Sequence, residues 1–149
     1  MPGTQPEASL LVCLERAPEA AGEPLALAVY NFGTGPALQP ELVLTVGERQ
    51  ITCLDWVHVR GGMERRPAEA PNHTGAPRQI LPWDGSGEYW RAQVPVDRAA
   101  LKSRVAEIRV SWQNGWSDVR VSQSWYLRYR SEFGFYVEWP SGAGEGSRQ

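Results

Sequence analysis

Residues 105–112, Val-Ala-Glu-Ile-Arg-Val-Ser-Trp, alternate apolar and polar side chains, and this pattern constrains the chain more than any other. Such alternation suits an extended strand with one face buried and does not fit an amphipathic helix over the same stretch. Asn114-Gly115 follows, a dipeptide that tolerates positive φ at both centres of a type I′ turn. A two-residue turn there sets Ile108 opposite Val121 and Val110 opposite Val119 on one face. On the other face it sets Glu107 opposite Ser122, Ser111 opposite Asp118 and Arg109 opposite Arg120. Both arms then agree on which side is buried. Val119, Val121, Trp125, Leu127 and Tyr129 continue inward, while Arg120, Ser122, Ser124, Tyr126 and Arg128 continue outward.

A second hairpin is expected at Gly47-Glu48, where glycine at the first central position suits a type II′ turn. It pairs Leu44 with Ile51 and Leu42 with Cys53, again with one apolar face. Further strands are read at Leu10–Glu15, Leu25–Phe32, Tyr89–Val94 and Phe133–Trp139, the last with Phe133, Phe135, Val137 and Trp139 on one side. One short helix is expected within Val96–Arg104, with Asp97 as its N-cap. Seven or eight short strands and one connecting helix predict an all-β antiparallel sandwich. The stretch 60–87 breaks the rhythm with Gly61-Gly62, Pro67, Pro71, Pro77, Pro82 and Gly85, so no long regular element is expected there. Residues 1–8 and 140–149 read as loose Pro/Gly-rich tails around a single domain at 9–139. No apolar run reaches the roughly 20 residues of a bilayer span and no signal peptide is visible, so the expectation is a cytoplasmic chain with no membrane partner.

Residues 25–37 read LALAVYNFGTGPA, a strand followed by Asn31-Phe32-Gly33-Thr34-Gly35-Pro36-Ala37. This resembles the N-x-G-x-G-x-A turn of bacterial immunoglobulin-like sandwich domains of the cell-adhesion-related (CARDB-like) type. The match covers about a dozen residues of the chain. The resemblance implies an immunoglobulin-like antiparallel sandwich serving as a binding or spacer module, with no catalytic residues to carry over. In such a turn Gly33 and Gly35 are expected to supply unusual φ values, and Asn31 to cap the turn with its side chain.

The inventory of reactive groups is thin. Cys13 and Cys53 are too few for a disulfide scaffold or a zinc cage and read as free thiols in apolar surroundings. Cys53, Asp55 and His58 invite a nucleophile, orienter and base, but a straight strand turns His58 away from the other two. Asp84, Glu88 and Asp97 match no calcium-loop spacing. Asn72-His73-Thr74 fits a glycosylation sequon in a chain with no visible export signal. The expectation is therefore a protein with no catalytic residue, metal or cofactor.

Charge is unevenly spread. Residues 1–58 carry seven acids against Arg16 and Arg49, whereas residues 59–149 carry thirteen bases against ten acids, within an overall charge of −2. From Arg98 to Arg130 seven basic groups face two acids, and every base in the chain except Lys102 is arginine, the residue suited to forked contacts at interfaces. The expected binding surface is Arg109, Arg120, Tyr126 and Arg128 on the outward face of the hairpin, joined by Trp116, Trp83, Trp90 and the 60–87 loop, while Trp112 and Trp125 belong to the core. The leading expectation is a non-enzymatic protein-interaction or structural module, as part of a larger bacterial or phage assembly. The alternative is a carbohydrate-binding module stacking sugars on Trp83, Trp90 and Trp116. The acidic overall balance argues against a nucleic-acid partner.

Overall fold

The computed structural model describes residues 6–60, 63–65, 76–115 and 117–139. Eleven strands and one helix lie within them. Strands β1 (Leu10–Arg16), β2 (Leu25–Asn31), β3 (Ala37–Val46) and β4 (Arg49–Thr52) come first, followed by β5 (Asp55–Arg60), β6 (Met63–Arg65), β7 (Gln79–Ile80) and β8 (Tyr89–Val94). Helix α1 (Arg98–Ser103) precedes β9 (Ala106–Asn114), β10 (Arg120–Arg130) and β11 (Gly134–Glu138). One sheet has the order β1-β2-β8-β5-β6; the other runs β11-β10-β9-β3-β4, with β7 also paired to β3. Every pairing is antiparallel. No helix among the described residues is long and apolar enough to cross a membrane.

Inward side chains of both sheets form one apolar cluster: Val12, Leu27 and Trp56 from the first meet Leu42, Leu44, Ile108, Trp112, Trp125 and Leu127 from the second. The two tryptophans expected in the core are there. Alternation exposes β1, β3 and β9 to sequence reading because only one of their faces is buried. In β5, Trp56 is buried on one face and Val57 and Val59 on the other. With both faces covered the period of two disappears, so β5 was not legible as a strand boundary, and β6 and β7 are too short to leave a pattern.

The Gly47 hairpin folds as expected. Leu44 pairs with Ile51, and the Cys53 N–H donates to the Leu42 carbonyl at 2.8 Å. Gly47 takes φ +63° and Glu48 does not follow into positive φ, the sign pattern of a type II′ turn. The helix lies where expected, but Asp97 makes no side-chain capping bond; Leu101 N–H reaches the Asp97 backbone carbonyl instead.

The Asn114-Gly115 hairpin is corrected in register. Val110 pairs with Gln123 rather than Val119, Arg109 with Ser124 and Arg120 with Gln113. The chain reverses over residues 115–119, and neither Asn114 nor Gly115 has positive φ. Asn114 is not free to form the turn. It pairs with Ala37 of β3, its side-chain oxygen accepts the Ala8 N–H at 2.9 Å, and Gly115 lies so close to Pro36 that an added Cβ would sit 2.8 Å from the proline Cγ. Because the register slips by four residues, an even number, the side chains within β9 and β10 keep their faces. The like-charge opposition of Arg109 and Arg120 therefore does not arise, and Val119 becomes 66% exposed rather than inward.

The 31–37 turn is organised by Asn31, which is buried and has all its bonding capacity used. Its Oδ1 accepts the Ser9 and Gly33 N–H groups at 3.2 and 2.9 Å, and its Nδ2 donates to the Gly35 and Ile80 carbonyls, each at 2.9 Å. Neither Gly33 nor Gly35 has positive φ, contrary to expectation. They are glycine because residues 6–9 cross directly over them: a Cβ on Gly33 would stand 2.2 Å from the Glu7 carbonyl oxygen. Part of the stretch expected to be a loose tail is thus held in place. Asn31→Ala removes the bonds of two part-buried N–H groups and two buried carbonyl contacts and should cost about 2–4 kcal/mol, while Gly33→Ala, which must push residues 7–9 away, should cost about 1–3 kcal/mol. Urea unfolding checks both, and midpoints equal to wild type would show that the crossing segment is not packed.

Candidate functional site

Of the residues expected to bind, Arg109, Arg120, Tyr126 and Arg128 do share the outer face of the six-stranded sheet, because β9 and β10 are adjacent and their outward parity holds. Each guanidinium has an acceptor within the chain. Arg109 Nη2 lies 3.3 Å from Glu107 Oε2, the same oxygen that accepts the Ser124 hydroxyl at 2.7 Å. Arg120 Nη2 donates to the Gln39 carbonyl at 2.8 Å and to Ser111 Oγ at 3.2 Å, and Arg128 pairs with Glu138. Gln39 itself stands at a bulge in β3 with φ +50°, its N–H bonded to the Arg78 carbonyl. The face thus carries two ion-paired arginines, Arg109 and Arg128, and one, Arg120, that is hydrogen-bonded to neutral acceptors and keeps its charge, each with spare N–H donors.

The tryptophans do not join them. Trp116 lies outside the described residues. Trp90 turns to the core side of β8 and stacks on the His58 ring at 5.0 Å. Trp83 is 45% exposed and heads a row of rings that sequence reading missed. Trp83 lies 5.4 Å from Phe32, Phe32 lies 5.7 Å from Tyr30, and Tyr30 lies 5.0 Å from Tyr89. Phe32 is 50% exposed, and Trp83 is anchored through its backbone N–H to the Asn31 carbonyl at 2.6 Å.

The inner end of this row is held by Glu15. Its carboxylate accepts Arg91 Nε at 2.5 Å and Nη2 at 2.7 Å, and also the Tyr89 hydroxyl. The Arg91 bonds, chiefly, hold the Glu15 carboxyl below its ordinary value despite partial burial, while burial and then the bond to Glu15 push the Tyr89 hydroxyl upward. The signal was present only in pieces: Tyr30 and Phe32, and Tyr89 and Arg91, are spaced to share a face on their own strands, but nothing in the sequence says that β1, β2 and β8 are neighbours.

Beside the row, a cleft of about 210 Å³ is lined by Asn31, His58, Ile80, Glu88, Tyr89 and Trp90. Glu88 bridges His58 Nε2 at 3.5 Å and Arg60 Nε at 3.1 Å. Cys53, Asp55 and His58 form no relay: the buried Cys53 thiol donates to the Asp55 and Gln93 carbonyls at 3.5 Å, and the Asp55 carboxylate accepts the Gln93 amide at 3.0 Å. Cys53 is packed in the core rather than on the face of Asp55. No group of three or more His, Cys, Asp or Glu able to hold a metal ion occurs among the described residues. The sequon at Asn72 lies outside them.

No protein-family model, curated protein or solved structure matches the chain. The resemblance of the 31–37 turn therefore rests on its own residues.

Both cysteines are free, and burial pushes the Cys53 thiol up to about 12. In the folded protein an aromatic disulfide reagent should titrate no more than the half-buried Cys13, with Cys53 appearing only on unfolding; two rapid thiols would contradict the packing. Glu15, depressed below its ordinary value of 4.5, contributes stability that is complete above that value and is lost as pH falls through the folded one. Stability measured from about pH 6 down to about pH 3 should therefore fall more steeply in wild type than in Glu15→Gln.

Proposed function

We propose that this chain is a non-catalytic recognition module built on an immunoglobulin-like sandwich, acting on a protein partner within a larger bacterial or phage assembly. The strand order supports the fold assignment. With β1, β2, β8 and β5 taken as strands A, B, E and D, and β10, β9, β3 and β4 as G, F, C and C′, the two sheets follow the immunoglobulin arrangement. The bacterial setting follows from the resemblance of the 31–37 turn.

The observation that carries the recognition reading is the row Trp83, Phe32, Tyr30 and Tyr89, with two half-exposed rings at one end and a fixed Glu15–Arg91 pair at the other. Aromatic anchors beside a polar rim are the anatomy of protein interfaces. The arginine face of the other sheet supplies a second, more polar contact surface. Carbohydrate binding is the alternative, favoured by the exposure of Trp83. It fits less well because Tyr30 and Phe32 stack on each other and so cover flat faces a sugar would need, which leaves Trp83, tilted against Phe32, as the one open ring of the row.

Immobilised wild-type protein, a Phe32→Ala/Trp83→Ala double variant and an Arg109→Ser/Arg120→Ser/Arg128→Ser triple variant, compared by quantitative capture and on a glycan array, test the reading. The aromatic double variant should lose the captured partner and the triple variant should weaken it, with no glycan bound. Capture unchanged in both would overturn the proposal, and tryptophan emission that shifts with a polysaccharide would replace it with the sugar reading.

A further inference from the structure

Strand β11 ends the six-stranded sheet and touches β1 of the other sheet, but its own residues lack the features that keep strand edges from pairing. The other sheet ends have them. Strand β6 spans three residues and β4 four, opening on Arg49, while β1 carries a register irregularity between Leu14 and Arg16 and finishes on Glu15-Arg16. In contrast, β11 and its flanks read Phe133-Gly134-Phe135-Tyr136-Val137-Glu138-Trp139, with one charge and no lysine, before Pro140. Large apolar side chains stand exposed at both ends, Phe133 by 65% and Trp139 by 57%.

We infer that β11 pairs antiparallel with β11 of a second copy of this chain, about a two-fold axis at Tyr136. A strand that pairs with itself must be complementary to its own reverse, and this one is. Centred on Tyr136, the pairing sets Phe135 opposite Val137 of the copy and brings the exposed Phe133 beside the exposed Trp139. It also sets Gly134 opposite Glu138 of the copy. Gly134 has no side chain, and its neighbour on β10 is Arg130, whose Nε contacts the Tyr136 hydroxyl at 3.4 Å. The copy's carboxylate, which also pairs with Arg128 of its own chain, and this arginine are thus separated by two strand spacings, about 10 Å between backbones, with only glycine between them, within reach of the two side chains. The two-fold axis repeats each contact, so the sheets of both copies join into one.

This inference does not rest on the aromatic row, shares Glu138 with the arginine face through its bond to Arg128, and is tested by mass in solution. Sedimentation of the full chain over a range of concentrations should show the 16.6 kDa monomer giving way to twice that mass. Glu138→Arg and Arg130→Glu should each raise the dimer dissociation constant about tenfold by placing like charges together. The double variant should bind more tightly than Glu138→Arg alone, since it restores the pair across the axis though not the Arg128 bond, a recovery that a general loss of structure would not allow. Trp139→Asp, at an exposed position, should abolish the dimer with the monomer still folded. A monomer at every concentration would overturn the proposal and leave the edge to an extended segment of another protein, and a dimer indifferent to all these substitutions would overturn it equally.

Discussion

Two buried asparagines hold the start of the chain against both sheets, and much of the remaining structure follows from where they sit. Asn31 ends β2 in the first sheet and Asn114 ends β9 in the second. Between them they accept the backbone N–H groups of Ser9 and Ala8. A buried amide left unpaired would cost more than the bonds return, so the position of residues 6–9 is strongly specified. That crossing segment in turn dictates glycine at 33 and 35, and with Asn114 fixed the chain must use five residues to reach β10.

The sequence made the strands legible where one face meets water. Period-two alternation located β1, β3, β9 and β10 and sorted their faces correctly. It read residues 53–58 as strand but did not separate β5 from the arm of the Gly47 hairpin, because Trp56, Val57 and Val59 are all buried and covering both sides erases the alternation. Hairpin register was read correctly at Gly47, where the local turn has no competing demand. At Asn114-Gly115 it was not, because the asparagine side chain is bonded to a residue 106 positions away. Local turn chemistry predicts register only where the turn residues have no tertiary partner.

The candidate surfaces divide in the same way. Arg109, Arg120, Tyr126 and Arg128 could be grouped from two adjacent strands joined by one loop, and the structure groups them. The aromatic row draws on β2, β8 and the segment between β7 and β8, so it depends on a sheet order that spacing along the chain does not encode. The partners that bond each arginine were equally hidden. Glu107 lies two residues from Arg109, but Gln39 reaches Arg120 from a β3 bulge whose left-handed backbone leaves no mark in composition.

The bond between Ala8 and Asn114 also sets an order of events during synthesis. The first strand and its leading segment leave the ribosome early, yet the acceptor that fixes Ala8 arrives only after more than a hundred further residues. Until then Gly33 and Gly35 can meet the segment above them, but its second anchor is missing. The last long strand pair of the sandwich and the first few residues of the domain are therefore completed together.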